Sequence, residues 1–422
     1  MRILWLMWTS LRHGYVLTAL TAATLALGTG CSQAKCEPGL CPIGTTCEAS
    51  SGLCTAQAQG TTATPGLLGH STFLRMPDGQ LGVIGFAPDR GSLVLLTHGI
   101  EADQTSLIAG TGVGGEQAAA GQASAAGLDS HGTLHVAWWR ASDSSINYAA
   151  LGSKGWQRDA TPLAAAGTAG RDLSLATDAQ NVWVAWQNLD PPGVRLAHRV
   201  GSVWQTEDMP QPPDLPGNLG GSVSLAMLPL GPAVATYDSA GGDLVLGARA
   251  NGTWTVARLD GRDPSTGADT GDVGSTCALA AGLAGDLVVA YRDRTRGRVL
   301  LARNHAGVLQ RLVVAGGLVQ DPETGLKRVP LSGTALAVVV LPSDRAVVAW
   351  QDGSAMQVHL AVEQPSGDFS SISIAQDGIQ AWPSLLLLPD HSLVAAWIAL
   401  HPERGPGAGV ATWTGVATTG AP

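Results

Sequence analysis

Charge is scarce in this chain. Only 14% of its 422 residues are Asp, Glu, Lys or Arg, aromatic residues make up 5%, and there are six cysteines. The formal net charge is −9, which excludes binding to nucleic acid or anionic lipid through a basic surface. No segment carries apolar residues at a sustained helical period, so helical bundles and βα-repeat folds are excluded as well. The chain has no GxSxG, no HExxH and no P-loop. Gly110, Gly112 and Gly115 satisfy GxGxxG, but no strand-then-helix pattern surrounds them and 55 glycines make such a match cheap. Ten histidines are scattered, and only His131 and His135 approach ligand spacing; they sit across a turn and at a strand start, where strand alternation accounts for them. No cofactor and no metal are implied.

What the chain does contain is a recurring phrase. Its clearest copies run from Ser174 to Asn188 (SLATDAQNVWVAWQN), Gly282 to Asp293 (GLAGDLVVAYRD), Val338 to Asp352 (VVVLPSDRAVVAWQD) and Leu385 to Ala399 (LLLLPDHSLVAAWIA). Aligned on the aromatic that closes each apolar run, seven copies place Phe86, Trp138, Trp186, Tyr237, Tyr291, Trp350 and Trp397 at spacings of 52, 48, 51, 54, 59 and 47. A period near 50 marks stacked supersecondary units, none of which can bury its apolar face alone.

Each unit divides into four strand-like pieces. In the third these are Leu173 to Thr177, Val182 to Trp186, Val194 to Val200 and Val203 to Thr206, separated by polar or Pro/Gly turns. The third piece has its own template, seen in Ile146 to Ala150, Val194 to His198, Leu244 to Ala248, Val299 to Arg303 and Val358 to Val362. The fourth often opens on a turn and a bulky residue: Trp156, Trp204, Trp254, Phe369. Four antiparallel strands repeated seven times predict an all-β fold, a seven-bladed β-propeller over 66–422. A sandwich or solenoid would not explain both the strand count and the period. The aromatics read as packing between blades. Residues around Thr61 to Leu68, or the short run after Trp413, are expected to complete the last blade beside the first. Cys277, alone in an apolar strand, reads as a small core residue.

The front end differs in kind. In 1–30, Arg2, Arg12 and His13 flank an apolar run from Gly14 to Leu27 that is too short to span a bilayer, followed by small residues: the pattern of a secretory signal. Removing it deletes Arg2 and Arg12 and takes the net charge from −9 to −11. The sequence LGTGC, ending at Cys31, resembles the bacterial lipobox, with Gly28 where that family usually has Leu. The resemblance implies cleavage before Cys31, acylation of that cysteine, and sorting to the outer membrane because Ser32, not Asp, follows. Residues 31–65 then hold Cys36, Cys41, Cys47 and Cys54, read as two disulfides of open connectivity, with zinc disfavoured by the lack of His and an oxidising compartment. This segment resembles short cysteine-rich modules just past the lipid site of myxobacterial surface lipoproteins, and Gln57 to Pro65 reads as a linker.

For the propeller, the loop with Asp260, Asp263, Asp269 and Asp272 could hold calcium through oxygen ligands, but an acidic solvated turn is the simpler reading. The repeats from Thr72 to Gly415 resemble sialidase-type BNR-like propellers, and Asp129 to Gly132 is similar to an Asp-box, yet SxDxGxTW is nowhere intact. Sialidases of that family use an arginine triad and a tyrosine nucleophile. Here Tyr237 and Tyr291 hold the core-aromatic position, and no tyrosine–carboxylate pair suggests itself, so the activity does not transfer. Catalytic residues are none, and the chain reads as a non-enzyme.

The loops joining second to third strands share one propeller face. They carry Asp89 and Arg90, Arg140 and Asp143, Asn188 and Asp190, Asp238 and Asp243, Arg292, Asp293 and Arg294, Asp352, and Glu403 with Arg404. A ring of carboxylates and guanidiniums suits sugars or peptides. The expectation is therefore a monomeric, membrane-anchored extracytoplasmic lipoprotein whose propeller binds a protein or carbohydrate partner. The alternative is a sialidase-like hydrolase with a degenerate site.

Overall fold

The computed structural model describes residues 46–48 and 53–55 and, apart from short internal stretches such as 111–119 and 402–404, residues 68–413. The secretory segment, Cys31, Cys36, Cys41, the linker and residues 414–422 lie outside the described residues. Among the described residues there is no helix. Blade 1 begins at Leu68 and blade 7 at Ile379; six blades have four antiparallel strands and the seventh has three among the described residues. The architecture is the seven-bladed β-propeller that the period predicts. Blade 3 shows the plan: Ala169–Thr177, Val182–Leu189, Pro192–Val200 and Val203–Asp208, each hydrogen-bonded to the next.

The strands are longer than the apolar runs because their ends are held by pairing rather than by burial. Side chains alternate between the two faces of each blade, and the faces meet in seams that form the core. One seam joins Ile146 and Tyr148 of blade 2 to Val184 and Trp186 of blade 3. Six of the seven aligned aromatics are buried there, with Trp186, Tyr291 and Trp397 at 0% exposure, while Phe86 is half-buried. Each such ring buries roughly 150–250 Å² of surface, which fixes the angle between neighbouring blades.

Blade 7 closes onto blade 1. Ala396 and Ile398 pack with Phe73, Val83, Val94 and Leu96 in a single cluster, so no gap separates the two blades. The segments expected to supply the missing outer strand fall outside the described residues. Ahead of the propeller, Thr46–Glu48 pairs with Leu53–Thr55 in a register that sets Cys47 opposite Cys54.

Candidate functional site

The face that carries the second-to-third loops is built mainly of side chains already bonded to one another. Arg140 donates from Nε to Asp143 at 2.9 Å, and Asp143 also accepts from Ser145 Oγ at 2.8 Å. The guanidinium beside it holds the Asp143 carboxyl below the usual carboxylate range. Asn188 is buried and donates to the Pro191 carbonyl at 2.7 Å, while Asp190 beside it is exposed. Asp293 is buried and accepts from the Arg296 backbone at 2.9 Å; Asp352 accepts from Ser354 at 2.8 Å. These are Asx-type turn caps, the local role that short acids take wherever strands reverse.

Asp238 and Asp243 are both fully buried, facing each other across the blade 4 hairpin. Asp243 receives Arg258 Nε at 2.9 Å, and burial pushes its carboxyl up, with Asp238 adding to the rise. Neither is available to a partner. Arg292 is half-buried and its pKa is lowered by burial and by Arg294. Arg294 pairs with Asp272 at 2.9 Å. Arg90 is exposed, and Asp89, Glu403 and Arg404 lie outside the described residues. Of the predicted ring, Arg90, Asp190 and Arg294 remain presented to solvent.

The tyrosines correct one expectation. The sequence suggests no tyrosine–carboxylate pair, yet Tyr237 donates its phenol to Asp272 at 2.9 Å and Tyr291 to Asp260 at 2.7 Å. Both acids belong to the loop read as a possible calcium holder, and the partners are 35 and 31 residues apart, brought together by the seam between blades 4 and 5. Burial, reinforced by the acceptor carboxylate, pushes Tyr237 up to about 12 and Tyr291 further. Both rings are buried, Tyr237 at 8% and Tyr291 at 0% exposure, so neither phenol is open to a substrate. The other two loop acids turn to the backbone: Asp263 to Ser265 at 2.8 Å and Asp269 to Gly271 at 2.7 Å. Among the described residues no group of three or more potential metal ligands converges.

A second buried network ties blade 2 to blade 3. His135 Nε2 lies 3.1 Å from Asp129, its Nδ1 bonds the Tyr148 hydroxyl, and Arg199 lies over the Tyr148 ring at 5.5 Å. The His131–His135 spacing thus has a structural explanation. Cys277 is buried as expected, with its backbone N–H on Ser222 Oγ at 3.2 Å, and burial pushes its thiol up to about 12.

The site that the sequence reading missed is the axis itself. The first strands of all seven blades line a channel of about 490 Å³. Each first strand is interrupted by a bulge at its start: between Ala120 and Ala123, between Ala169 and Leu173, between Val273 and Cys277, and likewise in the other blades. A bulge redirects side chains, and here the displaced residues Arg171, Asp172, Ser275, Thr334 and Trp382 line the channel. The bulges depend on glycine. Gly274 has φ +91° and a Cβ there would stand 2.8 Å from Leu244 Cβ; at Gly220, φ +102°, it would meet the Gly193 carbonyl at 2.6 Å. Blade 7 places Trp382 in the same left-handed region, φ 50°, a strained conformation for so bulky a residue.

A sequence signal for this site exists. Gly69, Gly121, Gly170, Gly220, Gly274 and Gly333 each precede the aligned aromatic by 16 or 17 positions. It is hidden because glycine is common and because a bulge breaks the period-2 pattern by which strands are recognised.

The channel wall is hydroxyl-rich: Ser71, Ser124, Ser222, Ser275, Thr334 and Ser384 line it, and among the described residues Arg171 and Asp172 are its only charged lining residues. Arg171 is exposed and lies over the Trp139 ring at 5.9 Å. Asp172 is half-buried; burial pushes its carboxyl up to about 6, with Arg171 pulling the other way.

No family model matches this chain, and no curated protein matches it. Among solved structures it is similar to a protein of unknown function from Dyadobacter fermentans, at 13% identity and TM-score 0.48, over 70% of this chain and 94% of that one. It is also similar to an alpha-L-arabinanase of Penicillium chrysogenum complexed with arabinobiose, at 12% identity and TM-score 0.47, over 85% and 96%. A six-bladed fucose-recognising lectin of Aleuria aurantia aligns at 11% identity and TM-score 0.44, over 76% and 100%. With every TM-score below 0.5, these likenesses carry no argument about ligand or activity.

Proposed function

We propose that this chain is an exported, lipid-anchored recognition module of the cell envelope, attached to the outer membrane through Cys31, whose propeller binds a glycan or a protein loop at the mouth of its central channel without turning it over. The observation that carries the reading is the channel: a polar cavity formed jointly by all seven blades, with a half-buried carboxylate at Asp172. Hydroxyls and backbone edges offer directional hydrogen bonds to a polyhydroxylated ligand. The anchor rests on LGTGC and the segment before it.

Binding without turnover is supported by the state of the tyrosines. A sialidase-like mechanism needs a phenol open to the substrate, and Tyr237 and Tyr291, though each is paired with a carboxylate, are buried at 8% and 0% exposure and do not line the channel. The test is a glycan array together with a fluorogenic glycoside panel, run on the mature chain in detergent. Capture of glycans with no released fluorophore is the expected result. Turnover abolished by Arg140→Ala or Arg292→Ala would establish the hydrolase instead. For the anchor, mass spectrometry of the mature N-terminus is expected to find acylated Cys31, and Cys31→Ala should release the protein from the membrane fraction.

A further inference from the structure

Asp172 is a half-buried carboxylate that makes no ion pair among the described residues. It follows the bulge in the first strand of blade 3 and borders the channel. Its sequence neighbour Arg171 is turned over Trp139, and among the described residues no cation stands within ion-pair distance of Asp172. The other lining side chains are neutral: serine and threonine hydroxyls, small apolar residues, Cys277 and Trp382. With Arg171 turned onto Trp139, a half-buried carboxylate among otherwise neutral, hydroxyl-bearing lining residues can accept a cation.

Resting on the reading of the channel as the binding site, we propose that its ligand is a primary amine on a hydrogen-bonding carrier, an amino sugar in the simplest case, with the ammonium seated against Asp172. An ammonium presents three donors from a compact head. One carboxylate and adjacent hydroxyl oxygens can accept all three. A metal ion would be worse served, because calcium takes six to eight oxygens and several carboxylates, and the lining has a single acid among the described residues. The 490 Å³ of the channel accommodates a sugar ring with its hydroxyls facing the serines. Exposed Arg171 sits at the same bulge and would set the orientation of a ligand that also carries an anionic or electron-rich group.

The proposal is tested by titrating the mature chain at pH 7.0 with glucosamine, glucose and calcium chloride in parallel. Glucosamine is expected to bind at least about tenfold more tightly than glucose, as a charge-assisted hydrogen bond adds to neutral ones. The preference should vanish in Asp172→Asn, and in the wild type it should fade as the pH drops below about 6 and the carboxylate takes up a proton. Equal affinity for the two sugars, unchanged in Asp172→Asn, would overturn the amine assignment while leaving the channel as the site. Calcium binding that requires Asp172 would overturn it in favour of a metal. Glycan capture unaffected by Ser275→Phe, which fills the channel, would sink the channel reading itself.

Discussion

Replacing Asp172 by Asn should make the protein more stable at neutral pH, against the general rule that mutations destabilise. Burial raises this carboxyl from an ordinary 3.8 to about 6, so ionising it costs more in the folded chain than in the unfolded one. Two pKa units correspond to about 3 kcal/mol. The side chain keeps some solvent, so about half of that, roughly 1.5 kcal/mol, is the reasonable size. The sign follows from proton binding. Near pH 2.5 both states hold the proton and the site contributes nothing. As pH rises from about 4 to 6, the unfolded chain loses its proton first and stability falls. Above pH 6 the full penalty is present, and Asn, which has no charge to bury, removes it. Thermal unfolding is expected to show the variant melting about 2 °C higher than wild type at pH 7 and no higher at pH 2.5. A variant that melts lower at pH 7, or whose gain is the same at both pH values, would refute the claim that an unpaired, desolvated carboxylate lines the channel.

Arg303→Met should cost about 3–5 kcal/mol in chemical unfolding, because Glu363, which accepts from Arg303 at 3.0 Å, would be left as an uncompensated buried charge between blades 5 and 6. Gly274→Ala and Gly252→Ala impose similar backbone strain, φ +91° and +85°, but only the first drives a methyl into Leu244; Gly252→Ala should lose about 1 kcal/mol and Gly274→Ala clearly more, with sugar binding impaired as the channel mouth shifts. Burial holds the His135 imidazole below its ordinary 6.5, so the unfolded chain protonates first and stability is lost as pH falls through about 6.5. His135→Gln should therefore flatten the stability profile between pH 6.5 and 5, measured by urea titration, and an unchanged slope would count against burial of a neutral imidazole.

The sequence by itself determined the number of blades, the strands within each, and the aligned aromatics, six of which fill the seams. These are consequences of local physics: side chains alternate with a period of two, turn residues mark reversals, and a unit that cannot bury its own apolar face must repeat. It also placed Cys277 in the core and the short acids in turns. What it could not decide is which of those acids remain available. Asp238 and Asp243 look alike to Asp190 as loop carboxylates, yet they are buried against each other with Arg258 while Asp190 stands in solvent. Tyr237 and Tyr291 look like plain core aromatics, yet each reaches an acid of the segment joining blades 4 and 5. Asp172 looks like one more polar residue on a first strand, yet it faces a channel that exists only once seven blades have closed. Alternation and turns act over a few residues, whereas these contacts join positions tens of residues apart, and their geometry is set by closure of the ring and by glycine bulges that no periodicity announces.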